Sequence, residues 1–196
     1  MEKNQMFVFI ILTIFYFAYL LKALVLTTKG IKVNQMGYGK KSFRTIVVEK
    51  LLKAVTFLMV PLQLSAVFSF LPLQIKTPET VQNIGLVISI CGTICFICAM
   101  LTMGKNWRAG IAPEDSTKFV KHGIYRISRN PAFCGFDLIY LGVLLVFPGI
   151  IHAVSVCFTI VMFHFQILEE EKFLLVTFGE EYREYMRKTG RYFLFF

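Results

Sequence analysis

Two polar stretches in an otherwise apolar chain have residue types and spacing suited to chemistry. The first, HGIYRISRNPAFCGF at 122–136, places arginines and the step Asn130-Pro131 directly before an apolar run. A residue before proline favours extended backbone and proline suits the first helical turn, so a helix is predicted to start at Pro131. Its free N–H groups, helix dipole and the forked donor of Arg129 would suit an anion. The alternative is an anchor in which these basic residues touch lipid phosphates.

The second stretch, LEEEKFLLVTFGEEYREYMRK at 168–188, begins with three successive carboxylates, Glu169, Glu170 and Glu171. On a continuing helix they would be splayed by roughly 100° each, so at most two can face one pocket. An apolar stripe, Gly179 and further acids follow, which predicts an amphipathic C-terminal helical segment. In the alternative interpretation this segment rests on a membrane with its acids solvated.

Apolar regions must position these two stretches. About 20 helical residues cross a bilayer, and the last region is long enough for two helices separated at Pro148-Gly149. We therefore predict an all-α integral membrane protein with about five transmembrane helices. The formal net charge of +9 comes from Lys and Arg in blocks between apolar runs, which favours membrane lipids over nucleic acid as partners. The apolar regions are roughly residues 5–28, 51–73, 80–103 and 132–168.

Basic residues concentrate after the first and third apolar regions. The positive-inside rule then places the N-terminus outside and the C-terminus, with both polar stretches, in the cytoplasm. The segments between spans are too short to bury a core of their own. We therefore expect a single membrane domain over 1–196, with two N-terminal helices in 1–78 and a catalytic part in 79–196.

Other polar features give weaker signals. Cys91, Cys95 and Cys98 share a helical face, but metal sites with soft ligands usually take four ligands from several elements, so buried apolar thiols are the simpler interpretation and no metal ligand is assigned. No P-loop, HExxH or GxSxG motif is found. Asp137, nearly two turns inside the fourth predicted span, is either functional or snorkels to the interface.

The order of these motifs resembles a family of membrane methyltransferases that includes isoprenylcysteine carboxyl methyltransferase and phospholipid N-methyltransferases, and its compactness resembles prokaryotic members. The similar segments cover about the last 95 residues. They are MGKNWRAGI at 103–111, HGIYRISRNPAFCG at 122–135, where relatives read G-x-Y-x-x-x-R-[HN]-P-x-[YF]-x-G, and EEKFLLVTFGEEYREY at 170–185.

The resemblance implies that the C-terminal half folds over S-adenosylmethionine and releases S-adenosylhomocysteine. Arg129 and Glu170 are the implied catalytic residues, and Glu170 and Glu171 the acids for the cationic part of the cofactor. The implied adenosine pocket consists of Lys118, Phe119, Val120, His122, Gly123 and Tyr125. The methionine end would be held by Asn130, Pro131, Ala132 and Phe133.

The implied reaction is methylation of the carboxylate of a lipid-linked acceptor, such as a prenylated protein or peptide ending in prenylcysteine, on the cytoplasmic side of a prokaryotic plasma membrane. A carboxylate needs no general base because it is already ionised at neutral pH, and Arg129 would orient it. Relatives acting on prenylcysteine tend to have arginine where this chain has Gln166. The open alternatives are N-methylation of a phospholipid amine, for which a glutamate would be the natural base, an NADPH-dependent sterol-type reductase and a non-enzymatic membrane carrier.

Overall fold

The computed structural model of the protein describes residues 2–113 and 118–193, and within them every regular element is helical. The all-α class is thereby confirmed, as are the start of the fourth helix at Pro131 and the break at Pro148-Gly149. The α-helices are α1 Lys3–Thr28, α2 Phe43–Val67, α3 Glu79–Met103, α4 Pro131–Val146 and α5 Ile150–Lys188, with short 3-10 turns at Gly104–Asn106 and Gly123–Arg126.

Three of these helices, α1, α3 and α5, are long and apolar enough to cross a membrane. Helix α4 is a shorter apolar helix of 16 residues, and α2 has four charged residues within its first three turns. The number of helices in the described residues therefore agrees with the predicted number of spans, while three of them have the length and apolarity of a span. The orientation of the chain across the membrane stays a prediction.

Helix α2 begins and ends earlier than predicted. The hydroxyl oxygen of Ser42 accepts a hydrogen bond from the backbone N–H of Thr45 at 3.1 Å and caps the helix, which therefore begins at Phe43, eight residues before the predicted start at 51. The charged first turns hid this start from a prediction that relied on apolarity. At the other end Ser69 adopts φ +59°, so the chain has left the helix well before residue 73.

Helices α3 and α4 form the closest helix pair, because glycines face each other along their contact. A Cβ atom on Gly85 would lie 2.6 Å from the carbonyl oxygen of Gly142, and one on Gly92 would lie 2.8 Å from that of Gly135. Such distances leave no room for a side chain, so the two backbones touch. We call these four residues the glycine interface, and it fixes the start of α4 relative to α3.

The remaining helices surround this pair unevenly. Helix α1 packs on α3 through the rings of Phe15 and Phe96, whose centroids are 4.7 Å apart, and Phe136 of α4 completes the aromatic cluster. Helix α2 packs mainly on α5, whereas α1 and α2 have little contact with each other. The space between α1 and α2 belongs to the cavity described below.

Helix α5 is 39 residues long and includes both the last span and the whole predicted amphipathic segment, 168–188. Within that segment Gly179 has φ +54° and ψ −124° and so interrupts the helical conformation, as predicted. Glycine suits this position because it has no Cβ atom, whereas L-residues rarely adopt such a φ. The bend turns the last residues of α5 towards the start of α4.

Candidate functional site

A cavity of about 490 Å³ lies between helices α1, α2, α4 and α5. The loops that follow α1 and α3 also line it. This volume lies in the usual range for small-molecule sites. The loops, the last residue of α3 and the C-terminal part of α5 contribute Asn34, Met36, Met103, Asn106, Trp107, Arg108, Ala109, Gly110, Lys118, Phe119, Val120, Leu174, Phe178, Tyr182 and Tyr185. The part lined by helices includes Tyr16, Tyr19, Leu20, Lys53, Thr56, Phe57, Val60, Phe136, Tyr140 and Phe163.

Most of the predicted site residues line this cavity. They are Lys118, Phe119, Val120, Tyr125, Arg129, Asn130, Ala132, Phe133 and Glu170. The structure places four others elsewhere. His122 and Gly123 are exposed in the turn before α4. Pro131 is buried towards α3, where its carbonyl oxygen accepts a hydrogen bond from Cys95 Sγ at 3.1 Å, and Glu171 faces away from the cavity.

The three successive glutamates have three different environments, as their rotation around α5 requires. Glu169 is buried against α2, where it accepts a hydrogen bond from Thr45 at 2.6 Å and pairs with Arg44 at 3.2 Å. Glu170 lines the cavity. Glu171 is buried in an ion-pair network on another side. One of the three acids therefore faces the cavity, rather than the two that we assigned to the cofactor.

Glu170 is the acidic side chain of the cavity, and no other acid among the described residues lines it. Its Oε1 accepts a hydrogen bond from Nε2 of Gln166, which is itself buried, at 2.9 Å. Within the described part of the chain no cation lies at ion-pairing distance from it. A carboxylate that faces a cavity with only an amide as partner is suited to a cationic ligand.

Glu171 is the centre of a buried ion-pair network. Its Oε1 accepts hydrogen bonds from Nε and Nη2 of Arg129 at 3.0 and 2.9 Å, and its Oε2 accepts from Nε and Nη2 of Arg191 at 3.0 and 2.9 Å. These hydrogen bonds raise the pKa of the Arg191 guanidinium above its ordinary value. Arg129 Nη1 also donates to the carbonyl oxygens of Thr189, at 2.6 Å, and Met186, at 3.2 Å.

Arg129 therefore already has partners within the chain for the donors that we expected it to offer an anion. It fixes residues 186–191 against the start of α4, and its catalytic role stays a prediction. Asn130 contributes to the same contact, because its Nδ2 donates to Glu171 Oε1 and to the carbonyl oxygen of Arg191, each at 3.2 Å. The first turn of α4 then reaches the cavity wall through Ala132 and Phe133.

Aromatic side chains form the wall next to this helix start. The ring of Phe119 stacks on Phe178, with centroids 5.2 Å apart, and meets Tyr182 and Tyr185 edge-on at 5.5 and 5.2 Å. The hydroxyl of Tyr185 donates to the carbonyl oxygen of Tyr125. The loop segment 118–125 is thus packed on the last turns of α5, and its rings suit a flat heteroaromatic ligand.

Sequence reasoning missed the contribution of the first two helices. Asn34 and Met36 reach the cavity because residues 33–35 pair with Ala109, with Gln35 N donating to Ala109 O at 2.8 Å and Ala109 N to Val33 O at 2.9 Å. Contacts between segments this far apart in the chain leave no local pattern in the sequence.

Glu49 of α2 fixes both of these loops. It is fully buried and accepts hydrogen bonds from Gly37 N at 2.7 Å, Ile111 N at 2.8 Å and Lys41 Nζ at 2.7 Å. We call this group the Glu49 clamp. A signal for it was present in the sequence, because Glu49 is the single acid among the many basic residues of 29–53. A buried acid usually has such partners.

The cysteines and Asp137 gave weaker signals in the sequence. Cys95 is buried, while Cys91 and Cys98 are exposed, so burial of all three was wrong. No group of three His, Cys, Asp or Glu residues that could hold a metal ion occurs in residues 2–113 and 118–193. Asp137 does not line the cavity, and its Oδ1 is buried without a hydrogen-bond partner in this part of the chain. The snorkelling interpretation therefore does not hold for that oxygen.

The fold and the cavity define the class of this molecule. It is an integral membrane protein of α-helices with a ligand-sized cavity between the helices and the loops beside them. The family follows from comparison with known proteins: residues 84–176 match the isoprenylcysteine carboxyl methyltransferase family. This segment covers most of α3, all of α4 and the part of α5 that includes the three glutamates.

Curated relatives extend the match. The chain is 33% identical over 121 residues to a probable protein-S-isoprenylcysteine O-methyltransferase of Oryza sativa subsp. indica, covering 59% of this chain and 62% of that protein. It is 30% identical over 141 residues to protein-S-isoprenylcysteine O-methyltransferase B of Arabidopsis thaliana, covering 69% and 70%. The human protein-S-isoprenylcysteine O-methyltransferase is 31% identical over 108 residues, covering 54% and 38%.

The chain belongs to the isoprenylcysteine carboxyl methyltransferase family. The matched part of the chain covers 62% of the length of the rice relative. The matched proteins come from plants, animals and yeast, so the prokaryotic origin that we expected has no support among them.

Proposed function

We propose that the protein is an S-adenosylmethionine-dependent methyltransferase that methylates the carboxylate of a lipid-linked acceptor, with a C-terminal prenylcysteine as the reference substrate. The observation that supports this most directly is Glu170, a carboxylate that faces a ligand-sized cavity without a cationic partner among the described residues. The relatives, named as protein-S-isoprenylcysteine O-methyltransferases, support the reaction type.

The residues around the loops fit the cofactor. Glu170 would attract its cationic sulfonium and ammonium groups, and the rings of Phe119 and Tyr182 would hold its adenine. The N–H end of α4 at Ala132 and Phe133 would receive its carboxylate. When bound, S-adenosylmethionine supplies an electrophilic methyl group. Glu171, which we expected beside Glu170, would instead hold the start of α4 in place through Arg129.

The part of the cavity lined by helices suits the acceptor. Phe57 and Val60 of α2 face Tyr19 and Leu20 of α1 across it, and these apolar side chains would hold a lipid tail. A carboxylate acceptor needs no base, since it is ionised at neutral pH. Poorly hydrated walls favour a reaction in which opposite charges meet and are neutralised, and positioning by the walls would supply much of the rate.

Calorimetric titration of detergent-purified protein with S-adenosylhomocysteine tests the cofactor site. We expect wild type to bind, Glu170→Gln to bind at least about tenfold more weakly because a hydrogen bond to a charged group is lost, and Glu180→Gln, an exposed acid of the same helix, to match wild type. Equal binding by Glu170→Gln would contradict the site. Binding of NADPH alone would make the protein a reductase.

The acceptor is tested by transfer of labelled methyl groups to N-acetyl-S-farnesylcysteine. We expect a base-labile product, as a methyl ester would give. Phosphatidylethanolamine in the same assay tests the amine alternative: its methylation without that of farnesylcysteine would contradict a carboxylate acceptor.

A further inference from the structure

Lys53 of α2 is an exposed lysine at the wall of the part of the cavity that is lined by helices. Its Nζ lies 5.4 Å from the centroid of the Tyr38 ring, and it forms no ion pair with any residue in 2–113 or 118–193. Neither the sequence motifs nor the segment matched by the family, residues 84–176, includes it. The proposed cofactor site does not use it.

The other cations that line the cavity lie in the loops. The guanidinium of Arg129 is taken up by Glu171 and by the carbonyl oxygens of Met186 and Thr189. Arg108 Nη1 donates to the carbonyl oxygens of Lys105, at 2.8 Å, and Trp107, at 2.9 Å.

Lys118 belongs to the loop segment at the proposed adenosine pocket, where its backbone N–H donates to Asn106 Oδ1 at 3.0 Å. Lys53 thus differs from the other cations of the cavity in being on a helix, beside the apolar wall.

The face of α2 that lines the cavity has a polar end and an apolar end. Lys53, Thr56, Phe57 and Val60 follow at i, i+3, i+4 and i+7, so they share one face of the helix. From Lys53 to Val60 this face extends about 10 Å along the helix axis. A prenylcysteine has the same order of chemical groups, with a carboxylate at one end and an apolar chain leading away from it.

We infer that Lys53 binds the carboxylate of the acceptor, an assignment that rests on the function proposed above. The ammonium attracts the ionised acid and has no such attraction for the neutral methyl ester, so Lys53 distinguishes substrate from product. Because it stabilises the carboxylate before reaction, it lowers KM for the acceptor without raising kcat. Lys53 is therefore a specificity-determining residue. Methylation removes the negative charge of the acceptor, and the neutral ester is then no longer attracted to Lys53 and can leave the site.

Lys50 is a matched control for this inference. It lies one turn earlier on α2 and is exposed, as Lys53 is, but it does not line the cavity; its side chain lies against Gly37 instead. If Lys53 were only a lysine reaching towards the membrane interface, the two residues would behave alike.

The test compares N-acetyl-S-farnesylcysteine with its carboxamide, which has the same shape and no charge. Binding of each to detergent-purified protein is measured by titration in the presence of saturating S-adenosylhomocysteine, so that no turnover occurs. We expect wild type and Lys50→Met to prefer the carboxylate by about tenfold, as one hydrogen bond to a charged group provides. Lys53→Met should bind the two ligands equally, and Lys53→Arg should keep part of the preference. In turnover assays Lys53→Met should raise KM for the acceptor without lowering kcat.

The outcomes separate this inference from the proposed function. Full preference for the carboxylate in Lys53→Met would overturn the role of Lys53 and leave the proposed function standing. Equal loss of preference in Lys50→Met would also overturn it, by showing a general effect of charge. If wild type binds S-adenosylhomocysteine but neither farnesyl ligand, the proposed acceptor is wrong and this inference fails with it.

Discussion

At the glycine interface α3 and α4 meet backbone to backbone, whereas α1 and α2 stand apart across the cavity. In the first region a single Cβ atom has no room. In the second the side chains of both helices face open space. The difference shows how one small membrane protein can hold the start of one helix fixed while leaving open space between two others.

Polar contacts attach the N-terminal end of α2 to the neighbouring loops and to α5. The Glu49 clamp and the contact of Thr45 with Glu169 lie in the first two turns of α2, before Lys53, and the residues from Lys53 to Val60 then line the cavity. Helix α2 is thus attached firmly beside the loops, and its middle part forms a wall. Changes in the two regions should therefore have different effects on folding and on binding.

Gly142→Val should have the largest effect. A Cβ there would lie 2.6 Å from the carbonyl oxygen of Gly85, so we expect a loss of about 3 kcal/mol in the free energy of unfolding and little folded protein after detergent extraction. Thermal unfolding and size-exclusion chromatography measure this. Val87→Leu, on the exposed surface of α3, adds one methylene and should behave as wild type. A Gly142→Val protein of normal stability would contradict the tight contact.

Glu49→Gln should cost nearly as much, about 3 kcal/mol, because it leaves the buried ammonium of Lys41 without its anion. Both loops that the clamp holds would loosen, so the affinity for S-adenosylhomocysteine should fall as well. Glu181→Gln removes an exposed pair with Lys121 and should cost less than about 1 kcal/mol. Thermal unfolding and titration check both variants, and similar results for the two would argue against the clamp.

Arg191→Gln should have a smaller effect, about 1–2 kcal/mol, since Glu171 keeps its hydrogen bonds to Arg129. We expect the chain after α5 to become more sensitive to limited proteolysis, because one of its attachments to the start of α4 is lost. Arg187→Gln, which removes an exposed contact of 3.8 Å with Glu180, is the control. Equal proteolysis of the two variants would show that the network does not hold this segment.

Val60→Phe should have the smallest effect on stability, within about 0.5 kcal/mol, although it too adds volume. The added ring would enter the cavity rather than another backbone, so KM for the farnesyl acceptor should rise several-fold while binding of S-adenosylhomocysteine is kept. Thermal unfolding and methyl-transfer kinetics measure the two effects. An unfolding midpoint as low as that of Gly142→Val would remove the contrast between the two regions.

Local signals in the sequence predicted much of the fold. Apolar runs of helical length gave α1 and α3 within a few residues, and proline chemistry gave the start of α4 and the break before α5. Helix α2 was placed too late because its first turns are charged, and Ser42 was a cap signal that apolarity outweighed. A local sequence pattern predicted an element where one physical cause determined its ends. It failed for α2, where the charged first turns and the Ser42 cap gave opposite indications.

Phe119, Ala132 and Glu170, which the family resemblance implied, line the cavity, while their roles in binding stay predictions. The sequence predicted the 100° rotation between successive glutamates, but which of them faces the cavity depends on how α2 and α4 pack around α5. Lys53 and Met36 reach the cavity through contacts between segments that are distant in the chain. Such contacts cannot be predicted from the local pattern of one sequence.

The rotation of the three glutamates has a consequence for how this chain can change in length. Deleting one residue of α5 between Gly149 and Glu169 would turn the triplet by roughly 100° and move it by about 1.5 Å, so each acid would take its neighbour's direction. Deleting seven would nearly restore the rotation but displace the triplet by about 10 Å. No short insertion or deletion there preserves both angle and height, so the number of residues from the Pro148-Gly149 turn to Glu170 is fixed by the direction that Glu170 must take.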